Sequence, residues 1–90
     1  MTTFTGPITA AAIAANLITF LEHRTKQDVA ANLDLFGSGL VTSLFALELL
    51  VHLEGTFGVT VAGPDLTLDN FRTVDAMTAL VLRLGGGIGG

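Results

Sequence analysis

Apolar residues recur at helical spacing in three stretches of the chain, a pattern that predicts a small helical protein. The first predicted helix runs from Ile8 to about Arg24 and is rich in alanine. Either Thr5 or Thr9 is placed to cap its N-terminus, and basic side chains near its end suit the negative pole of the helix dipole. The apolar positions that recur at helical spacing along it are Ile8, Ala12, Ala15, Ile18 and Leu21.

The second predicted helix runs from about Ser43 to Thr56 and is apolar on two faces. One face should point to the core and comprises Ala46, Leu49, Leu50, Leu53 and Phe57. The other face begins at the serine and comprises Ser43, Leu44, Leu47, Glu48 and Val51. Because so small a domain cannot bury a helix all round, the second face is predicted to contact partners.

The segment 27–42, between these helices, lacks sustained periodicity and is predicted to be a long loop. Gly37 and Gly39 interrupt it, while four apolar side chains should hold it against the core: Val29, Leu33, Leu35 and Phe36. A loop of this length in a compact domain is more often functional than idle.

Gly55 and Gly58 are expected to end the second helix. Residues 59–61, which follow, are interpreted as an extended loop segment rather than a strand. One helical turn is predicted at Asp69–Arg72, and Thr73 should cap the last helix, with Asp75 in its first turn. The apolar positions of that helix are Val74, Met77, Leu80 or Val81, and Leu84. The predicted fold is therefore an all-α bundle of three main helices and a short one, occupying residues 1–84, followed by a glycine-rich tail at 85–90.

Composition narrows the classes of function. The chain has 90 residues, a net charge of −4 and four basic side chains spread along it, which argues against nucleic-acid binding. Half of the residues are apolar and 13% are charged, so some apolar side chains should stay exposed as a partner surface. No stretch resembles a signal peptide or reaches the roughly 20 apolar residues of a membrane span. A soluble, cytoplasmic and monomeric protein is expected.

Few side chains are suited to catalysis. The chain has two histidines and no Cys, Tyr or Trp, so we predict no catalytic residues and a protein that is not an enzyme. Glu48 and His52 stand four residues apart and are expected to form a solvent-facing helix pair rather than a metal site. The carboxylates of Asp65, Asp69 and Asp75 do not have calcium-loop spacing, and no metal site is predicted.

Two serines could carry a modification. Ser43 opens the second predicted helix, where unpaired N–H groups and the positive dipole end would tolerate an attached phosphate. A serine at this position is more commonly an N-cap. Ser38 lies between two glycines, where a turn-forming role is the ordinary one. Position alone leaves the choice open.

Three motifs, in order, resemble those of the acyl carrier protein superfamily, and the likeness covers residues 8–84. They are LDLFGSGLVTSL at 33–44, LLVHLEGTFGV at 49–59 and DLTLDNFRTVDA at 65–76. The resemblance implies a three-to-four-helix bundle that carries an acyl thioester on 4′-phosphopantetheine, attached to Ser43 rather than Ser38. It also implies that a phosphopantetheinyl transferase and acyl-handling enzymes recognise the surface around that serine, formed by Thr42, Leu44, Leu47, Glu48 and Val51.

The chain departs from the family pattern at two points. Thr42 stands where the family usually has Asp, and the second helix keeps only Glu48 and Glu54 as acids. Because rim charge chiefly governs encounter rate and selectivity, recognition should be less electrostatic and more apolar than in fatty-acid carriers.

Two runs, at residues 39–49 and 65–77, are also similar to those of stand-alone carriers from polyketide pathways that hold glyceryl, hydroxymalonyl or methoxymalonyl units. That likeness implies a glyceryl-loading enzyme, tailoring dehydrogenases and a polyketide synthase acyltransferase or ketosynthase as partners. Two alternatives stay open: an aminoacyl or peptidyl carrier, and a helical interaction module that carries nothing.

Overall fold

The computed structural model describes residues 9–85 as a bundle of four α-helices and one 3-10 turn. The helices are α1 (Ala10–Thr25), α2 (Phe45–Phe57), α3 (Leu68–Phe71) and α4 (Val74–Arg83), and the 3-10 turn is Gly63–Asp65. No strand occurs within residues 9–85, which confirms the predicted all-α class. Residues 1–8 of the predicted domain, which include the predicted helix start at Ile8, and the tail beyond Gly85 lie outside this range.

Helix α1 is capped as the sequence suggests, and its buried face takes in part of the predicted apolar pattern. Thr9 Oγ1 accepts a hydrogen bond from the Ala12 N–H at 3.1 Å. The fully buried side chains are those of Ile13, Leu17 and Leu21, whereas Ala15 is exposed. Of the apolar positions in the predicted pattern, Leu21 is buried and Ile18 is half-buried against the core, because alanines lie all around this helix and do not define one face. The larger side chains, spaced four residues apart, therefore set which face turns inward.

Helix α4 packs most extensively against α1 and supplies much of the core. Thr73 Oγ1 accepts a hydrogen bond from the Ala76 N–H at 2.9 Å, which confirms the predicted cap. The buried apolar side chains of α4 are Val74, Met77, Leu80 and Val81. Burial of each such side chain contributes about 1.5–3 kcal/mol of transfer free energy, so α4 supplies a large part of the apolar stabilisation of the bundle.

The loop between α1 and α2 is tied to the core as predicted. Val29 and Leu35 are buried, and Leu33 and Phe36 are half-buried against the same cluster. Backbone hydrogen bonds also fix the loop, because the Leu35 N–H donates to the Arg72 carbonyl at 2.8 Å. The loop that leads into α2 is thus held by both apolar and polar contacts.

The end of α2 follows the prediction in part. Gly58 adopts φ 70° at the C-cap, and its N–H donates to the Glu54 carbonyl. Gly55 lies inside the helix rather than ending it. Residues 59–61 form no strand, as predicted, and Val59 and Val61 are buried there. Helix α3 begins one residue before the expected turn. Within residues 9–85, no helix combines the length and apolar character that crossing a membrane requires.

Candidate functional site

Ser43 lies in the tight turn that opens α2. The N–H groups of Phe45, Ala46 and Leu47 donate to the carbonyls three residues earlier, at 3.0, 3.1 and 3.2 Å. This spacing is that of a 3-10 turn, so regular α-helix begins at Phe45, two residues later than predicted. Ser43 therefore stands at the positive end of the α2 dipole, just outside the helix.

The Ser43 hydroxyl is exposed and does not cap α2. The N-cap position belongs to Leu44, and no side chain makes a capping hydrogen bond there. Among the hydrogen bonds formed within residues 9–85, none involves Ser43 Oγ. The common N-cap interpretation of a serine at a helix start therefore does not apply, and the hydroxyl is accessible to a reagent from solvent.

Ser38 is engaged in the loop instead. Its Oγ accepts a hydrogen bond from the Leu40 N–H at 3.3 Å and lies 3.5 Å from the Leu35 carbonyl. These contacts match the turn-forming role that its position between two glycines suggests. The hydroxyl of Ser38 is thus used within the loop and that of Ser43 is not, a difference that their positions in the sequence did not show.

Beside Ser43 runs a mainly apolar, exposed surface, which we call the α2 face and define as Thr42, Leu44, Leu47, Glu48 and Val51. Its three large apolar side chains, Leu44, Leu47 and Val51, are 76%, 64% and 69% exposed. The core side of the same helix is separate, with Leu49, Leu53 and Phe57 fully buried and Ala46 and Leu50 half-buried. The structure therefore brings the predicted recognition residues together next to the candidate serine.

Glu48 and His52 do not pair with each other, contrary to expectation. Glu48 forms an ion pair with Arg24 of α1. His52 Nε2 lies 2.7 Å from Asn16 Oδ1, also on α1, and its Nδ1 lies 3.4 Å from Thr56 Oγ1. Both side chains therefore join α2 to α1 instead of pairing along one helix. Within residues 9–85, no cluster of three or more His, Cys, Asp or Glu side chains is arranged to hold a metal ion.

Aromatic contacts complete the junction between α1 and α2. The Phe20 ring stacks on the His52 ring with centroids 4.0 Å apart, and Arg24 lies over the rings of Phe20 and Phe45. Burial lowers the pKa of His52, so its imidazole is neutral near pH 7. Sequence reasoning missed this junction. Its available signal was the four-residue spacing of Asn16, Phe20 and Arg24 along α1.

Two grooves flank Leu47. The groove toward α1 is lined by Phe20, Arg24, Leu47, Glu48, Val51 and His52. The groove toward α3 is lined mostly by apolar side chains, among them Leu47, Leu50, Leu66, Leu68 and Phe71. Leu47 is common to both, so it forms a ridge between two concave surfaces close to Ser43.

Comparison with known proteins agrees with the motifs. Residues 11–81 match the family model described as phosphopantetheine attachment site. The D-alanyl carrier proteins of two strains of Lactobacillus delbrueckii subsp. bulgaricus are each 27% identical to this chain over 74 residues, which is 80% of this chain and 92% of theirs. The chain therefore belongs to the phosphopantetheine attachment site family, within the acyl carrier protein superfamily, and is a non-catalytic carrier whose cofactor is 4′-phosphopantetheine.

Proposed function

We propose that Ser43 carries the 4′-phosphopantetheine group and that the chain holds an acyl unit as a thioester on its thiol. The observation that supports this most strongly is the exposed Ser43 hydroxyl, free of a capping bond, at the opening of α2. The other serine of the loop, Ser38, uses its hydroxyl in a turn.

The attachment chemistry balances with coenzyme A as donor. Ser43 Oγ attacks the phosphorus that bears the pantetheine, a new O–P bond forms, and the pyrophosphate P–O bond breaks to release adenosine 3′,5′-bisphosphate. A base of the transferase takes the hydroxyl proton. The chain has no Cys, so the thiol that carries the cargo comes from the attached group.

The chain's own residues would position the attached group and form the surface that partner enzymes recognise. The α2 dipole end favours a phosphodiester at Ser43 over one placed elsewhere on the helix. The adjacent α2 face would bind the phosphopantetheinyl transferase first and acyl-handling enzymes afterwards. We infer a cytoplasmic monomer that meets these enzymes in turn.

For the cargo we propose a glycerate-derived extender unit of polyketide biosynthesis, based on the likeness of residues 39–49 and 65–77 to carriers of that kind. The partners would then include a glyceryl-loading enzyme, tailoring dehydrogenases and a polyketide synthase acyltransferase or ketosynthase. An aminoacyl cargo is the second candidate, and the 27% identity to D-alanyl carrier proteins favours it. The family match favours either carrier over an interaction module without cargo.

Attachment is tested by intact-mass analysis of the unmodified chain with coenzyme A and a broad-specificity phosphopantetheinyl transferase. The wild type and Ser38→Ala should gain the mass of one phosphopantetheine. Ser43→Ala should gain nothing while keeping the helical circular dichroism of the wild type. Modification of Ser43→Ala, or a peptide map that places the group on another residue, would contradict the proposal.

The cargo is tested on the modified protein. One reaction supplies a glyceryl-loading enzyme with its activated glycerate, and the other supplies a D-alanine-adenylating enzyme with ATP and D-alanine. Mass spectrometry then shows which acyl group appears on the thiol. Glyceryl loading alone supports the polyketide assignment, and D-alanyl loading alone replaces it with the aminoacyl one.

A further inference from the structure

Arg24 is held in one place on the surface of the bundle. It lies in the last turn of α1, and its guanidinium forms an ion pair with Glu48 of α2. The guanidinium carbon lies 5.6 Å from the Phe20 ring centroid and 5.3 Å from that of Phe45. A planar cation against two aromatic rings and a carboxylate is well ordered before any partner arrives.

This ion pair lies at the edge of the surface beside Ser43. The side chains of Arg24 and Glu48 are 41% and 50% exposed, so a partner at the α2 face would meet both. The same two residues line the groove between α1 and α2, together with Leu47 and Val51 of the α2 face. The charge of Glu48 is therefore already matched where a docking enzyme would otherwise find a lone carboxylate.

The other ionisable groups of α2 are also engaged within the chain. Glu54 Oε2 accepts a hydrogen bond from the Val61 N–H at 2.9 Å. His52 is neutral and bonded to Asn16. On the far side of Leu47, the exposed surface continues through Leu66 and Leu68, which are 49% and 44% exposed. The docking surface is thus apolar and nearly free of uncompensated charge along α2.

We propose that Arg24 sets partner selectivity: by neutralising Glu48 within the chain, it fits the α2 face to an apolar, uncharged partner surface and disfavours a basic one. A basic residue on a partner would have to displace Arg24 from Glu48 or approach it against like-charge repulsion. The inference rests on the proposed function, because the partner it describes is an acyl-loading enzyme that docks beside Ser43.

The expected size of the effect follows from the exposure of the pair. An exposed ion pair changes an equilibrium by a factor of about two to five. Arg24 should therefore bias the choice between partners rather than decide binding alone. The apolar contacts of Leu44, Leu47 and Val51 would supply most of the affinity.

Two synthetic peptides test the proposal on the unmodified full chain. Both form amphipathic helices with the same leucine face, and their flanking positions carry lysine in one peptide and glutamine in the other. Titration into ¹⁵N-labelled protein gives each Kd from the amide shifts of residues 44–51. The wild type should bind the glutamine peptide at least as tightly as the lysine peptide.

Removing the guanidinium should reverse that order. In Arg24→Gln, the lysine peptide should bind about threefold to fivefold more tightly than in the wild type at low salt, and added salt should abolish the gain. The double variant Arg24→Gln, Glu48→Gln should lose it as well. Lys26→Gln removes one positive charge near the same helix end and should leave the ratio of the two affinities near its wild-type value.

Two results would overturn the proposal: an unchanged affinity ratio in Arg24→Gln, or peptide-induced shifts that avoid residues 44–51. Both peptides are titrated into the unmodified chain, so their binding does not depend on attachment at Ser43. A failed modification at Ser43 with a normal peptide response would therefore count against attachment at Ser43 alone. Normal modification with no response to Arg24→Gln would count against the selectivity role alone.

Discussion

Arg72 Nη1 lies 3.2 Å from Asp34 Oδ2, and this ion pair joins the end of α3 to the loop that leads to Ser43. Asp34 Oδ1 also accepts a hydrogen bond from the Gly37 N–H at 2.8 Å. The Gly37 bond and then the Arg72 guanidinium hold the pKa of Asp34 below its ordinary value. Since the Leu35 N–H donates to the Arg72 carbonyl, both backbone and side chains fix this part of the loop.

Removal of the guanidinium should loosen the loop without unfolding the bundle. In Arg72→Gln, we expect faster amide hydrogen exchange at Leu35 and Gly37, with exchange in α1 unchanged. The matched control is Asp69→Asn, because Asp69 also contacts Arg72 but its side chain is 86% exposed. Equal effects of the two variants on loop exchange would show that the Asp34 contact has no special role.

The same contact predicts acid sensitivity. The pKa of Asp34 is lower in the folded state than in the unfolded chain, so the unfolded chain binds this proton first as pH falls. The stabilisation is therefore present above an ordinary carboxyl pKa near 3.8 and is lost below it. Urea unfolding at pH 3 and pH 6 should show a smaller loss of stability in Asp34→Asn than in the wild type.

His52 predicts a second dependence of stability on pH, and here the titrating group is a base rather than an acid. Its ring lies against Phe20, bonds to Asn16 and Thr56, and faces the Phe57 ring edge-on, and burial lowers its pKa. The unfolded chain then takes up this proton at a higher pH than the folded protein does. The free energy of unfolding should therefore fall as pH drops below the ordinary histidine value of 6.5.

The charged groups beside His52 in the same groove are Arg24 and Glu48, which form an ion pair with each other. Their charges therefore balance whether His52 is neutral or protonated. Urea unfolding at pH 5 and pH 7.5 measures the change. His52→Gln should remove much of it, whereas His23→Gln, at an exposed position of α1, should keep it. A similar pH response in wild type and His52→Gln would show that other groups cause it.

Local signals in the sequence predicted the helices and their caps well. Thr9 and Thr73 each stand directly before a helical pattern, and both hydroxyls accept the expected capping bond. Local signals could not show which face of α1 is buried, because its alanines fit any face. That face is set by tertiary packing against α4. Caps depend on neighbours along the chain, and burial depends on neighbours in space.

The candidate site was likewise predictable where it depends on local sequence and not where it depends on contacts between helices. The exposed apolar face of α2 followed from the size of the domain, and the candidate serine followed from motif order. The partners of Glu48 and His52 did not, because both lie on α1, 24 and 36 residues away. Spacing within one helix suggested that Glu48 and His52 pair with each other, whereas in the structure each contacts a residue of a second helix.

The two glycines near the end of α2 should respond oppositely to alanine. Gly55 lies within the helix, and a Cβ added there meets no atom within 4 Å, so Gly55→Ala should stabilise the protein by about 0.5–1 kcal/mol. Gly58 holds φ 70° at the C-cap, a region unfavourable for alanine, and Gly58→Ala should destabilise it by about 1 kcal/mol. Thermal and urea unfolding measure both. A shift of the same sign in the two variants would contradict the helix end seen here.

Thr78 in α4 offers a way to stabilise the core. Its side chain is buried, and Oγ1 has no hydrogen-bond partner within the described residues. A buried hydroxyl without a partner costs about 1–3 kcal/mol, and valine has the same branched shape without that group. Thr78→Val should therefore raise the free energy of unfolding by about 1 kcal/mol or more, measured by urea unfolding. Thr60→Val, at an exposed position, should change it by less than about 0.5 kcal/mol, because solvent already satisfies that hydroxyl. A Thr78→Val variant no more stable than the wild type would show that the unpaired hydroxyl does not cost the protein stability.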